Sequence, residues 1–507
     1  MRILMVAAEN GALPGGKVGG MGDVLAQVPP VLAARGHEVH VLLPSYGVYQ
    51  DLPGSELATT VAVAFAGVEQ RLRLYRLPAM EGVHVWVLDH AVFADPAGKI
   101  YHHDGAGAPF ATDANLYALF CCGAAAALAQ AAWGELDVLH LHDWHAAGVL
   151  LFPEALTSSG TPRTVFTIHN LAVQGQRPLA GHPSSFADWF GGMACPAGAI
   201  DPRYPDCYNP MRLGITCADR VHVVSPGYAQ EVVRPNGPFL HGGEGLDADL
   251  RAAADAGRLH GILNGCEYPE TPPERPTRTA IWQRIEDTLA GWITDEGSLS
   301  SAHFFASRNL DRLRARRRER MLLTSVGRLV DQKVGLLRLR SPEGGSMLDS
   351  LLHALRKKAV LVVLGSGDPA CEAFFTEAAG RHANLIYLRG FSEVLASDLY
   401  NGGDLFLMPS VFEPCGISQM LAMRGGQPCL VHAVGGLADT VHDEDNGFSF
   451  RGDSASQAAR AFLMRLADAV ALWNGDDNAW RTLSERAAES RFTWSKAAAD
   501  YERLLYG

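Results

Sequence analysis

The chain has 507 residues, 48% hydrophobic and 19% charged, which is material for more than one core and so for two or more domains. A formal charge of −12 argues against a general nucleic-acid binder. Nine cysteines with no C-x-x-C point to neither a disulfide framework nor a zinc ribbon, so a reducing, cytoplasmic setting is expected. Apolar runs such as Val360–Leu364 are too short to cross a bilayer, and the first eight residues lack the features of a signal peptide, so no membrane partner is expected.

The first element is Ile3–Ala8, an apolar run that reads as a buried parallel strand. Lys17-Val18-Gly19-Gly20-Met21-Gly22-Asp23 follows and enters a helix near Met21. A glycine loop between strand and helix can turn backbone N–H groups toward an anion, Gly19 and Gly20 allowing close approach and positive φ, and Lys17 adding a full charge. The loop is neither a Walker A sequence nor G-x-G-x-x-G, which argues against a dehydrogenase. The plainer alternative is a glycine-rich turn beside a solvated lysine.

Further strand-like runs in the first half are Glu38–Leu43, Val83–Leu88, Val138–Leu141, Thr164–Ile168 and Val221–Val224. The second half restarts with Leu322–Val326, Val360–Leu364, Leu385–Tyr387, Leu405–Met408 and Cys429–Val431. Glu267–Arg275, rich in proline and charge, is the expected boundary between them. The alternation with helical segments predicts an α/β protein of two parallel-sheet domains facing a cleft, with ligands at the carboxyl ends of the strands.

Three strand ends carry chemistry. His140-Leu141-His142-Asp143-Trp144-His145 places His140 and His142 on one face. A metal hydrolase is one reading, with His169 as a further ligand; polar groups lining a cleft, or buried and satisfied histidines, are the others. Thr167-Ile168-His169-Asn170 ends a second strand. Arg328 and Lys333, just past Leu322–Val326, are two cations able to converge on one diphosphate, or simply two surface charges.

Pro409-Ser410-Val411-Phe412-Glu413-Pro414-Cys415-Gly416-Ile417-Ser418-Gln419 places Glu413 at a cleft mouth and Gly416–Ser418 at a helix start, followed by the similar Gly435–Thr440. Cys415 is a candidate nucleophile or an apolar filler. The triplets Asp247-Ala248-Asp249 and Asp443-Glu444-Asp445 sit at a helix start and a turn and are expected to be structural, so no metal is required. The basic run Arg312–Arg320 reads as a solvated helix end rather than a polyanion patch, and Ser341–Ser346 as a flexible surface loop.

In order and spacing, the segments Lys17–Val24, His140–Ala146, His169–Gly175, Ala218–Pro226, Gly261–Gly265, Gly327–Lys333, Pro409–Gln419 and Gly435–Val441 resemble the bacterial glycogen synthase and plant starch synthase family. The likeness spans nearly the whole chain and includes Phe492-Thr493-Trp494 with its following helix. It implies a retaining GT-B enzyme with a Rossmann-like acceptor-side domain over 1–265, a donor-side domain over 266–485, and a closing helix over 486–507 that crosses back. The implied reaction moves glucose from ADP-glucose to the non-reducing end of an α-1,4-glucan, with no cofactor.

By the same resemblance Lys17, Gly19 and Gly20 touch the donor diphosphate, together with Arg328 and Lys333. Glu413 sits beside the transferred sugar, Cys415, Gly416, Ile417 and Ser418 hold sugar and nucleotide, and Asp143, His169 and Asn264 line the sugar or acceptor side. His169 joins Glu413, Arg328 and Lys333 as a catalytic candidate. The chain departs from the family at Tyr117, Val173, Cys266-Glu267, and Val334 with the stretch up to Ser350. UDP-glucose as donor, a non-glucan acceptor, and a glucan-binding protein with a degenerate site are the alternatives; the sequence does not address oligomeric state.

Overall fold

The structure is a computed structural model that describes every residue except 96–97, 103, 106–108, 238, 240, 272–273, 298, 316–319 and 342–343. Arg316, Arg317 and Arg318 of the basic run, two prolines of the expected boundary and Pro342 of the expected loop therefore lie outside the described residues. The chain forms two compact units. The first comprises Met1–Asn236, Gly242–Asn264 and Trp494–Gly507, and the second Gly237–His241 and Gly265–Thr493.

The first unit is built on β1 (Arg2–Val6), β2 (Glu38–Pro44), β3 (Glu56–Phe65), β4 (Val68–Arg76), β5 (His84–Asp89), β6 (Val138–His142) and β7 (Arg163–Ile168). After a two-residue pair, β8 (Arg177–Pro178) and β9 (Cys207–Tyr208), come β10 (Arg220–Val223) and β11 (Leu259–Gly261). The main sheet runs β11-β10-β7-β6-β1-β2-β5-β4-β3. It is parallel except where β3 pairs with β4 and β4 with β5. β1, β6 and β7 are near-continuous apolar runs because both their faces are covered. The hairpin β3–β4 escaped the sequence reading because it is half solvated and carries charges on its open face.

The second unit holds β12 (Met321–Val326), β13 (Ala359–Leu364), β14 (Leu385–Leu388), β15 (Leu405–Met408), β16 (Cys429–His432) and β17 (Gly447–Phe450), in the order β14-β13-β12-β15-β16-β17, all parallel. Successive residues face opposite sides, so Leu323, Leu361 and Leu405 join one core while Leu322, Val360 and Phe406 join the other. Val334 lies in the first of these cores, 6% exposed, which accounts for a branched apolar residue at that position.

Each sheet reverses direction once. In the first, β1 lies between β2 and β6; in the second, β12 lies between β13 and β15. Crevices at the carboxyl ends of such switch-point strands are where open α/β sheets take ligands.

Three helices of the first unit are used below: α1 (Gly20–Ala34), α2 (Ala111–Ala129) and α3 (Asp143–Ala147). α2 is long and apolar enough to cross a membrane by length and composition alone, contrary to the expectation that no apolar segment is, yet 72% of its apolar 18-residue stretch is buried within the protein. Its apolar composition is that of a core helix. The C-terminal helix Trp494–Tyr501 and the turn Glu502–Tyr506 belong to the first unit, where Glu502 bonds Arg35 at 2.5 Å and His37 at 2.8 Å.

The stretch around Ser341 is more ordered than expected of a flexible loop. Ser341 is 5% exposed, Arg340 bridges to Ser346, and Ser346 with Asp349 forms a capping box on the helix Met347–Leu355. Asp249 pairs with Arg212, Asp443 with Arg465 and Asp445 with Arg486, so both D-x-D triplets are engaged in structural ion pairs.

Candidate active site

At the end of β1 the chain leaves the sheet through Ala7 and Ala8 to Glu9, whose side chain organises the glycine loop. One carboxylate oxygen accepts from Val18 N–H at 2.8 Å and Gly19 N–H at 2.6 Å. The other accepts from the Tyr101 hydroxyl at 2.7 Å. Glu9 is only 3% exposed, so this anion is built in. The loop therefore spends two N–H groups on its own protein, and Gly19 is already committed.

Positive φ is not the reason for Gly19 or Gly20: Gly19 has φ −134 and neither is among the residues with positive φ. A Cβ at Gly20 would meet nothing within 4 Å, so there the glycine leaves bare backbone at the start of α1. Gly22 is required sterically, since a Cβ would lie 3.1 Å from both Glu9 Oε2 and Lys17 Cα. Lys17 pairs with Asp23 at 2.5 Å while its side chain stays 55% exposed.

At the end of β6, Asp143 takes the left-handed conformation, φ 54, a region where a short polar side chain bonding nearby backbone is best tolerated. Its Oδ1 accepts from the backbone N–H of His169 at 2.7 Å, which ties the ends of β6 and β7 together. Burial pushes the Asp143 carboxyl up to about 8, against the lowering effect of that hydrogen bond.

Behind it lies a column of imidazoles. His140 stacks on His142 with ring centres 4.3 Å apart, and His142 on His169 at 5.3 Å. His140 is held by the Tyr506 hydroxyl at 2.8 Å and Thr167 Oγ1 at 2.6 Å; Thr167 in turn reaches His222 at 2.9 Å. Burial lowers the pKa of each, to about 3 for His169 and His222. Both ring nitrogens of His140 and one of His142 are thus committed to protein partners, and no group of three His, Cys, Asp or Glu able to hold a metal is found among the described residues. The metal-hydrolase reading gains no support from this donor set.

Asn264 is buried, 5% exposed, where the chain leaves the first unit. Tyr117 is buried against Tyr46, their hydroxyls 3.0 Å apart.

In the second unit the switch point collects charge. Arg328, past the end of β12, is exposed. Lys333, in the first turn of the helix Asp331–Arg338, forms an ion pair with Glu413, past the end of β15. Glu413 also accepts from Ser410 Oγ at 3.1 Å, and its backbone C=O accepts from Gly436 N–H at 3.1 Å. The segment that holds it is pinned to the Lys333 helix, because Val411 N–H donates to Gln332 C=O at 2.8 Å and Gln332 Nε2 to Phe412 C=O at 3.1 Å. Lys333 and Glu413, far apart in sequence, are thereby organised at the carboxyl ends of neighbouring strands, with Arg328 just past the end of β12.

The loop behind Glu413 is fixed by Gln419, fully buried, whose Nε2 reaches the C=O groups of Cys415 at 3.3 Å and Gly416 at 3.0 Å. Gly416 has φ +78, and a Cβ there would lie 2.5 Å from Gln419 Oε1, so glycine is required. Cys415 is 5% exposed, which suits a filler rather than an accessible nucleophile. Ile417 precedes the helix Ser418–Arg424, and Ser418 Oγ accepts from the Tyr400 hydroxyl at 3.1 Å.

Sequence reasoning missed Glu9, Tyr101, Ser410 and Tyr506. Glu9, the first charge after a buried strand, carried a local signal; the other three become site residues only through tertiary packing.

Comparison with known proteins resolves the class. Residues 2–252 match the family model described as "Starch synthase catalytic domain", and 334–468 the model "Glycosyl transferases group 1". The catalytic domain of starch synthase IV from Arabidopsis thaliana, solved bound to ADP and acarbose, aligns with TM-score 0.74 and 27% identity over 99% of this chain and 98% of that one. A sucrose-phosphate synthase from Thermosynechococcus elongatus, TM-score 0.55 at 17% identity over 99% and 98% of the two chains, shares the fold. The fold is therefore the GT-B architecture, and the enzyme is a retaining glucosyltransferase of that class.

The glycogen synthase of Gloeobacter violaceus is 35% identical over 99% of this chain and 98% of its own length, and that of Anaeromyxobacter dehalogenans 35% over 99% of each. The chain belongs to the glycogen synthase and starch synthase family, and its function is that of a glycogen or starch synthase.

Proposed function

We propose that the enzyme transfers glucose from ADP-glucose to the non-reducing end of an α-1,4-glucan, with retention, in the cytoplasm and without a metal ion. The observation that carries this reading is the Lys333–Glu413 ion pair with Arg328 just past the end of β12. Glycosyl transfer builds positive charge on the sugar and negative charge on the leaving diphosphate. Arg328 and Lys333, with Lys17 and the Gly19-Gly20 backbone of the first unit, are assigned to the diphosphate. Because a diphosphate leaves without full protonation, preorganised cations meet its need and no hydrolase-like acid is called for.

Glu413 is assigned to the sugar, where a carboxylate stabilises the cationic carbon while the acceptor hydroxyl attacks on the face the diphosphate leaves, which gives retention. Cys415, Gly416, Ile417 and Ser418 are assigned to sugar and nucleotide. Asp143 and Asn264, both buried, and His169, part-exposed, are polar groups at or near strand ends that suit neutral hydroxyls on the sugar or acceptor. ADP as the nucleotide is supported by the Arabidopsis relative, which was solved with it. Nine free thiols fit a reducing compartment.

The test is nucleoside diphosphate release by the purified chain given ADP-glucose or UDP-glucose, with and without maltooligosaccharides, followed by sizing of the glucans. Acceptor-dependent ADP release with single-glucose extension, unchanged by EDTA, is the expected result. Release from UDP-glucose alone, or without longer glucan, moves the enzyme to a different donor or acceptor. No release from either donor makes it a glucan-binding protein.

A further inference from the structure

His169 reaches His142 through its Nε2, 3.0 Å from His142 Nδ1, while its Nδ1 makes no hydrogen bond among the described residues and the residue is part-exposed. The other nitrogen of His142, Nε2, is buried and has no partner, and His142 itself is fully buried. Burial disfavours the imidazolium form of both rings, so each carries one proton. That leaves two arrangements. If His169 donates from Nε2, the proton of His142 must sit on Nε2, an N–H sealed from water with no acceptor. If His142 donates from Nδ1, only a lone pair is left unpartnered at its Nε2.

Orphaned buried N–H groups are the rarer and costlier defect, so the second arrangement is favoured. In it His169 Nε2 accepts, and the His169 proton is forced onto Nδ1, the open edge. Movement of His142 to escape this pairing is blocked by the stack on His140, which Tyr506 and Thr167 hold from both nitrogens.

We propose that His142 is a positioning residue that locks His169 as a hydrogen-bond donor at Nδ1. His169 then reads an oxygen lone pair of a neutral hydroxyl on the sugar and does not serve as a base. This rests on the assignment of His169 to the sugar side, but the tautomer itself is independent of that assignment.

The experiment has two parts on the full chain. Nitrogen-15 spectra of histidine-labelled protein, assigned with His169→Gln, are expected to show His169 Nδ1 as pyrrole-like and Nε2 as pyridine-like; the reverse pattern overturns the proposal. In kinetics, His142→Phe keeps a flat ring in the stack but removes the donor, whereas His142→Asn restores an N–H close to the position of Nδ1. A fall in kcat of about tenfold for the Phe variant, with donor KM little changed, and recovery to within about threefold in the Asn variant are expected. Parental kcat in folded His142→Phe overturns it. Should that variant not fold, the spectra of the parent and the Asn variant still decide. Absence of ADP release by the parent would instead sink the proposed reaction, leaving the tautomer result standing.

Discussion

The polar ends of the two sheets are built on opposite electrostatic plans. In the first unit the groups at β6 and β7 are buried and largely neutral: Asp143 is pushed up to about 8, and His142 and His169 are held well below the ordinary histidine value. In the second unit the groups at β12 and β15 are formal charges, Arg328 open to water and Lys333 paired with Glu413. Buried neutral dipoles with fixed partners discriminate shape and hydroxyl pattern, whereas charges lower a barrier in which charge itself develops. Recognition of sugar and stabilisation of a departing diphosphate make these two different demands, and under the proposed assignment each sheet answers one of them. The glycine loop is the exception in the first unit, since Lys17 stays half-exposed while paired with Asp23.

The contrast is most easily broken in the second unit. Lys333→Ala and Arg328→Ala are each expected to lower turnover by about 10²–10³ with folding kept. Circular dichroism and steady-state rates check this, and near-parental activity in both would remove the charge argument. Lys333→Ala also leaves Glu413 without its cation, so it should be the more damaging of the two.

The glycine loop gives an intermediate effect. Glu9→Gln keeps the size of the side chain and one acceptor oxygen, but loses the anion that receives Val18 and Gly19 or the oxygen that receives Tyr101. Donor KM is expected to rise about tenfold with a smaller change in kcat, as for a loop that binds but does not react. An unchanged KM would mean that the loop holds its shape without the carboxylate.

The smallest effect is on stability and sharpens the neutral character of the first unit. His140, His142, His145, His169 and His222 all have lowered pKa values through burial. Below about 6.5 the unfolded chain takes up protons that the folded unit refuses, so their contribution is present above that pH and is lost as pH falls toward about 3. Asp143 has the opposite sign: its folded value of about 8 lies above the unfolded one, so its contribution is lost as pH rises through about 8. Thermal melts should therefore show Tm falling by several degrees between pH 7 and pH 5. Asp143→Asn removes a contribution that grows as pH falls from about 8 toward about 4, so it should steepen the fall in Tm between pH 7 and pH 5.

Much of this was legible in the chain before folding. The apolar runs Ile3–Ala8, Val138–Leu141, Leu322–Val326 and Leu405–Met408 announce parallel strands because a strand covered on both faces has no polar side to show. The residues just past those runs, such as Asp143, Arg328 and Glu413, are named candidates by position alone, since function collects at strand ends. Local sequence also specifies where a turn needs glycine, as at Gly416. What it could not contain is which strands are neighbours. That order brings β6 beside β1 and β15 beside β12, and so joins Lys333 to Glu413 across 80 residues of chain. The same holds for Glu9 in the loop, for Tyr101 behind it, and for Tyr506, 366 residues from the His140 it supports. Protonation states followed from burial, a property of the assembled core; the sequence determined the strands and the candidate residues, while packing decided their partners and their charge.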